Sequence, residues 1–116
     1  MLTEELKSLR SKDVTVLGGR RSGIAAARLL AEHGAQVFLS DMDADAFDDE
    51  TITSLEQLGI RLEAGQHSER VYAADLIIIS PGIPDSAPVV QTIEEREIPA
   101  ISEVELASWF AEFPVI

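Results

Sequence analysis

Short apolar runs along the chain alternate with longer stretches whose apolar residues recur at the spacing of an amphipathic helix. The run Leu76–Ile79 is apolar at every position, which is typical of a strand buried on both faces. Strands and helices that alternate at this spacing indicate βαβ units around a parallel sheet. We therefore expect a Rossmann-like three-layer α/β domain with about five parallel strands. The predicted strands are Val14–Leu17, Val37–Ser40, Arg61–Ala64, Leu76–Ile79 and Ala100–Ile101.

The helical stretches are bounded by residues that commonly begin or end helices. Gly34 lies where a C-terminal glycine cap is expected, and Pro88 lies where a first helical turn tolerates proline. Ser102 and Glu105 have the spacing of a capping box. The predicted helices are Thr3–Lys12, Gly23–Glu32, Ile52–Leu58, Val89–Arg96 and a last one from Glu103 to about Glu112.

Composition narrows the class of protein. The 116 residues suffice for one domain, and the absence of cysteine excludes a disulfide framework or a thiol nucleophile. The first residues are polar and acidic, and no apolar run is long enough to cross a bilayer, so we expect a cytoplasmic protein. A net charge of −12 disfavours binding to nucleic acid or to an anionic membrane. An anionic ligand must therefore be held by local donors.

The segment Gly18–Gly23 joins the first predicted strand to the first long predicted helix and reads Gly-Gly-Arg-Arg-Ser-Gly. Its end glycines suit a tight turn and close helix packing, and the free N–H groups of a helix start can bind phosphate. However, Arg20 occupies the middle glycine position of the dinucleotide fingerprint, where a side chain hinders the approach of a pyrophosphate. The loop thus favours phosphate over NAD. The alternative is a plain turn, with Arg20 and Arg21 as solvated surface charges.

Two further segments follow predicted strands at the same edge of the sheet, because the carboxyl ends of parallel strands lie together. Asp41 comes 18 residues after Gly23, where an acidic residue commonly binds a ribose hydroxyl. A capping or turn role is the alternative for Asp41. Ser80–Pro84 contains two prolines and a glycine, which make a stiff loop with exposed backbone groups. A simple strand–helix turn is the alternative for that loop.

Other polar residues carry weaker signals. The acidic run that begins at Asp41 lacks the glycine of a calcium loop, because Ala46 holds the sixth position, and we predict no metal site. Asp48 and its acidic neighbours are interpreted as solvated loop charges, and His67 as a surface histidine. No combination of side chains indicates catalysis, so no catalytic residue is predicted.

Three segments resemble the Mur ligase family, in order and over essentially the whole chain. From Val14 the chain reads Val-Thr-Val-Leu-Gly-Gly-Arg-Arg-Ser-Gly-Ile-Ala-Ala-Ala-Arg, similar to the family's first strand and loop. From Ala74 it reads Ala-Asp-Leu-Ile-Ile-Ile-Ser-Pro-Gly-Ile-Pro, similar to its fourth strand and following loop. From Glu97 it reads Glu-Ile-Pro-Ala-Ile-Ser-Glu-Val-Glu-Leu-Ala, similar to its fifth strand and last helix. The D-glutamate-adding branch is the most similar.

The resemblance implies that residues 1–116 form the N-terminal, UDP-sugar-binding domain of an ATP-dependent ligase in peptidoglycan precursor synthesis. The implied substrate is UDP-N-acetylmuramoyl-L-alanine. ATP with magnesium, and the incoming amino acid, would bind to two further domains absent from this chain, which alone would be inactive and without a cofactor. By motif position, the implied UDP contacts are Arg21, Ser22, Gly23, Asp41, Met42, Asp43, Ser80, Pro81 and Gly82.

Two positions depart from the family pattern. Arg20 replaces its middle glycine, and Asp43 stands where a basic or neutral residue is expected near the base. The alternative function is an NAD-binding Rossmann domain of a dehydrogenase or a regulatory protein.

Overall fold

The computed structural model describes residues 8–110, and strands alternate with helices throughout that range. Of the predicted helix Thr3–Lys12, the first part lies outside the described residues, as does the predicted end of the last helix beyond position 110. The strands are β1 (Asp13–Leu17), β2 (Gln36–Asp41), β3 (Arg61–Ala64), β4 (Leu76–Ile79) and β5 (Ala100–Ser102). The helices are α1 (Arg21–Glu32), α2 (Asp49–Gln57), α3 (Pro88–Glu95) and α4 (Glu103–Phe110), with a 3-10 helix at Glu69–Tyr72.

All five strands are parallel and lie in the order β3-β2-β1-β4-β5, which confirms the predicted fold class. Strand β1 pairs with both β2 and β4, so Leu17 at its end lies beside Ser40 and Ile79. After β1 the chain adds β2 and β3 on one side of that strand, and it then adds β4 and β5 on the other side. This reversal of strand order makes a crevice at the carboxyl ends of the strands, where ligands of such sheets bind.

Helices cover both faces of the sheet and form the two outer layers. On one face, Leu30 of α1, Leu55 of α2 and Leu106 of α4 pack in the same cluster as Val16. On the other face, Val90 and its neighbours in α3 pack against Leu17 and Ile77. Each buried aliphatic side chain of this size contributes roughly 1.5–3 kcal/mol to folding. The core therefore fixes the sheet rigidly beneath the loops that follow the strands.

Helix boundaries show what the apolar pattern could not predict. Helix α2 begins at Asp49 rather than Ile52, because the Asp48 carboxylate accepts a 2.7 Å hydrogen bond from the Thr51 N–H. The interpretation of Asp48 as a solvated loop charge was thus wrong, since it is a helix N-cap. Capping at Ser102 is confirmed: its hydroxyl accepts a 3.1 Å hydrogen bond from the Glu105 N–H.

None of the helices within residues 8–110 combines the length and the apolar character needed to cross a membrane.

Candidate functional site

A cleft of about 470 Å³ opens at the carboxyl edge of the sheet, where the strand order reverses. The loops after β1, β2 and β4, which the sequence placed at this edge, all contribute to its wall. The lining residues are Gly18, Arg20, Ser22, Asp41, Met42, His67, Ser80, Pro81, Gly82 and Ile83. The three predicted segments therefore form one concave surface.

The structure separates the predicted contact residues into two groups. Ser22, Asp41, Met42, Ser80, Pro81 and Gly82 line the cleft. Arg21, Gly23 and Asp43 lie close by in the chain but outside that lining. Sequence reasoning had not selected Arg20, His67 or Ile83 as ligand contacts, although they complete the wall. The pair of adjacent arginines, Arg20 and Arg21, was a sequence signal for a basic group at the cleft, whereas no local sequence feature indicated that His67 would line it.

The glycine loop is compact because its end glycines allow close backbone approaches. Gly18 has a φ of +100°, and its N–H donates to the Ser40 carbonyl oxygen at 2.8 Å. A Cβ on Gly18 would lie only 2.7 Å from the Ser80 Cβ, and one on Gly23 would overlap the Gly18 carbonyl oxygen. Helix α1 therefore starts directly against the loop, as the glycine spacing predicted.

The N-terminus of α1 carries positive helix-dipole charge toward the cleft. Its N-cap residue, Arg20, is extended and makes no side-chain capping hydrogen bond, and the first turn contains no acidic residue. Uncapped N–H groups at a helix start, with Ser22 beside them, suit an anion such as phosphate. The Glu103 side chain of α4 lies close to Gly23 at this helix N-terminus. Its Oε2 is buried and has no hydrogen-bond partner within the described structure.

Both carboxylate oxygens of Asp41 hold backbone groups in place. Oδ2 accepts a 2.6 Å hydrogen bond from the Gly19 N–H, and Oδ1 accepts a 2.8 Å hydrogen bond from the Asp43 N–H. Asp41 thus ties the glycine loop to the end of β2. Because each carboxylate oxygen can accept more than one hydrogen bond, a ribose contact remains a prediction.

His67 is half-buried and belongs to a polar network, so its interpretation as a surface histidine was wrong. Its Nδ1 lies 2.8 Å from the buried Ser40 hydroxyl, which also donates toward the Gln66 carbonyl oxygen at 3.1 Å or Glu63 Oε1 at 3.2 Å. Burial lowers the pKa of the His67 imidazole, and the charges of Asp41 and Glu63 oppose that shift only in part. The neutral ring is therefore favoured at neutral pH.

Glu63 shows the opposite balance of effects. Burial alone would raise the pKa of its carboxyl group, but hydrogen bonds from Ser68 and Ser40 and the charge of Arg70 outweigh it, so the pKa is lowered. The Ser68 N–H donates to Oε1 at 2.8 Å. Glu63 is thus an ionised acceptor beneath the His67 loop.

The cleft continues into an apolar pocket of about 490 Å³. The two cavities share Met42, His67, Gly82 and Ile83 in their walls. Tyr72, Pro84, Ala87, Pro88 and Val89 are among the residues that line the apolar part. The combined cavity is polar beside the N-terminus of α1 and apolar in the adjoining pocket. This combination suits a ligand that carries a charged group and a flat ring.

Within residues 8–110, no three His, Asp or Glu side chains are grouped so that they could hold a metal ion.

The family model described as "Mur ligase MurD-like, N-terminal domain" matches residues 12–102. The UDP-N-acetylmuramoylalanine–D-glutamate ligases of Chloroherpeton thalassium and Chlorobaculum tepidum are each 47% identical to this chain over all 116 residues. The match covers 100% of this chain but 24% of each ligase. The chain therefore spans about a quarter of the length of these relatives.

Solved structures share the fold. A murein peptide ligase from Psychrobacter arcticus superposes with a TM-score of 0.73 at 21% identity, covering 84% of this chain and 20% of that one. A pseudomurein peptide ligase type C from Methanothermus fervidus superposes with a TM-score of 0.71 at 26% identity. That match covers 89% of this chain and 21% of the ligase. Shikimate dehydrogenase from Aquifex aeolicus superposes with a TM-score of 0.55 at 19% identity, and the match covers 90% of this chain and 48% of the dehydrogenase. This similarity shows a shared fold alone.

The three loops meet in one cleft at the strand reversal, and the family model spans β1 through β5. On this evidence the chain belongs to the MurD-like N-terminal domain family of Mur ligases.

Proposed function

We propose that this chain binds the UDP moiety of UDP-N-acetylmuramoyl-L-alanine, as one domain of a cytoplasmic, ATP-dependent ligase that adds D-glutamate in peptidoglycan precursor synthesis. The observation that carries the proposal is the cleft in which the uncapped start of α1 meets the Ser80–Gly82 loop and opens into an apolar pocket. The names of the relatives support the choice of reaction.

The diphosphate would lie at the N-terminus of α1. Backbone N–H groups of the first turn would donate to phosphate oxygens, and Ser22 and Arg20 line the same cleft, so their hydroxyl and guanidinium groups can add further donors. These groups supply local positive charge in a chain whose net charge is −12. A ligand with two phosphates is therefore bound despite the overall negative field.

The uracil ring would enter the apolar pocket. Met42 is 60% exposed at its mouth, so a flat ring that covers this side chain removes apolar surface from water. In the loop after β4, the Ser80 carbonyl oxygen accepts a 3.1 Å hydrogen bond from the Ile83 N–H. A loop held by this bond and by two prolines loses little conformational entropy when a base binds beside it.

The arrangement favours UDP over NAD because of Arg20. In the dinucleotide fingerprint this position is glycine, which lets the pyrophosphate approach the backbone closely. Here the position carries arginine, and Arg20 lines the cleft. The resemblance to shikimate dehydrogenase concerns the chain path and carries no cofactor with it.

The catalytic part of the proposed reaction would reside in the rest of the ligase. ATP and magnesium, and the site for D-glutamate, belong to two other domains of the same enzyme in this proposal. This chain would contribute the anchoring of the UDP-sugar substrate, and its partners would be that substrate and those domains.

Calorimetry with the purified chain tests the ligand. UDP and UDP-N-acetylmuramoyl-L-alanine should each bind more tightly than NADH, because the proposed contacts from Arg20 and Ser22 do not depend on the middle glycine by which a dinucleotide pyrophosphate approaches the backbone. Uridine serves as a control for the base alone and should bind more weakly than UDP. Tighter binding of NADH than of UDP would overturn the proposal in favour of a dinucleotide-binding domain.

A further inference from the structure

His67 lies at the junction of the polar cleft and the apolar pocket and lines both cavities. None of the proposed phosphate contacts uses it. Its Nδ1 is engaged with Ser40, so Nε2 is the ring nitrogen left for a ligand.

The hydrogen bonds around Ser40 determine which nitrogen of His67 carries the proton. The Ser40 hydroxyl has one proton, and its neighbours Glu63 Oε1 and the Gln66 carbonyl oxygen can only accept. Donation to one of those two oxygens is favoured, because donation to Nδ1 would leave the hydroxyl lone pairs facing two further acceptors. The contact between Nδ1 and the hydroxyl oxygen is then made by the Nδ1–H of His67, which donates to Ser40. In the neutral ring Nε2 is then an acceptor with a free lone pair.

We propose that His67 reads the base of the bound nucleotide, its Nε2 accepting a hydrogen bond from the N3–H of uracil. The inference rests on the proposed function and names a specificity-determining residue for the same site. Cytosine carries no hydrogen at N3, and its N3 lone pair would face the lone pair of Nε2. His67 thus selects uracil over cytosine nucleotides, with the Ser40 hydroxyl as the positioning group that fixes the tautomer.

The surrounding charges are compatible with this role. The acidic groups that act on His67 are Asp41 at the end of β2 and Glu63 of β3, and both favour the protonated ring. Burial outweighs them and lowers the pKa of the imidazole. At pH 7.5 the ring is therefore the neutral acceptor that the hydrogen-bond pattern requires.

Binding measurements with UDP, CDP and N3-methyl-UDP at pH 7.5 test the proposal. The unmodified chain should prefer UDP over each of the others by on the order of tenfold, the value of about one satisfied hydrogen bond. In the variant His67→Phe, which keeps a ring without nitrogen, all three ligands should bind with similar affinity. The matched control His33→Phe changes the other histidine, at the far end of α1, and should keep the preference.

Each outcome has a distinct meaning. If the unmodified chain binds UDP but His67→Phe keeps the full preference, the role of His67 is refuted while the proposed function stands. If the unmodified chain does not bind UDP, the proposed function fails and the inference falls with it.

The tautomer can be tested without any ligand. Two-bond ¹H–¹⁵N correlation spectra distinguish a protonated Nδ1 from a protonated Nε2, and the chain has two histidines to assign. The spectrum should show the Nδ1–H form for His67, and Ser40→Ala should shift the population toward the Nε2–H form. A predominant Nε2–H form in the unmodified chain would overturn the proposal even if UDP binds well.

Discussion

Arg20 and Arg21 are neighbours in the sequence, yet they reach different surroundings. Arg20 is the extended N-cap residue of α1 and lines the cleft, whereas Arg21 is the first helical residue and lies outside that lining. Because Arg20 is still extended and Arg21 is already helical, their side chains leave the backbone in different directions. The resemblance implies a UDP contact for Arg21, whereas the position of Arg20 in the cleft lining is the basis for proposing Arg20 as a phosphate contact.

Replacing each arginine separately tests this difference. Arg20→Ala should weaken UDP binding by about tenfold, because a charge-assisted hydrogen bond to phosphate is lost, and should affect uridine little. Arg21→Ala is the matched control and should cause a smaller loss. Titration calorimetry of both ligands with both variants gives the comparison. A larger loss for Arg21→Ala would show that the phosphates follow the family-based assignment.

At the scale of elements, the site depends on how closely α1 approaches the end of β1. Gly23 is buried, and its Cα faces the Gly18 carbonyl oxygen so closely that no side chain fits between the helix and the loop. The Gly19 N–H is held by Asp41 from β2, so the loop is fixed from two sides. The position of the helix N-terminus, where we propose that phosphate binds, follows from these backbone contacts.

Gly23→Ala should therefore destabilise the fold by about 1–3 kcal/mol, because the added methyl group forces the helix away from the loop. Urea denaturation followed by circular dichroism measures the change. Gly82→Ala is the matched control: its Cβ would lie 3.9 Å from the Ser80 Oγ, an ordinary contact. Equal stability of Gly23→Ala and the unmodified chain would show that the loop and helix can separate without cost.

At the scale of the whole molecule, the sheet places all three loops at one edge, where they form one cleft. The chain spans 24% of the length of the similar D-glutamate ligases. Its two lysines, Lys7 and Lys12, both precede the glycine loop, so no phosphate-cradling loop with a lysine exists in this sequence. In P-loop enzymes, phosphoryl transfer from ATP uses such a loop together with a carboxylate that helps to hold magnesium.

We therefore expect that the purified chain neither hydrolyses ATP nor joins D-glutamate to the UDP-sugar. Phosphate release would be measured with ATP, magnesium, D-glutamate and UDP-N-acetylmuramoyl-L-alanine. The full-length Chloroherpeton thalassium ligase, 47% identical over the shared region, is the positive control and should release phosphate in the same assay. Turnover by the chain alone would contradict its assignment as a binding domain.

The sequence by itself determined the fold class, because short apolar strands that alternate with amphipathic helices allow few arrangements other than a parallel sheet between two layers of helices. It also determined which loops share an edge, since the carboxyl ends of parallel strands always lie together. Strands β3 and β4 were predicted to the residue, whereas the start of α2 was missed because capping by Asp48 outweighs the apolar pattern.

Only the tertiary structure decided which side chains face the ligand cleft. Ser40 and His67 are 27 residues apart, and the pairing of β2 with β3 brings them within 2.8 Å. From the sequence alone, the exposure of His67 could be judged only from its neighbours along the chain, which are typical of a loop. Its partial burial and its contact with the Ser40 hydroxyl could not be predicted from the sequence, because these properties depend on distances between elements and not on the order of residues.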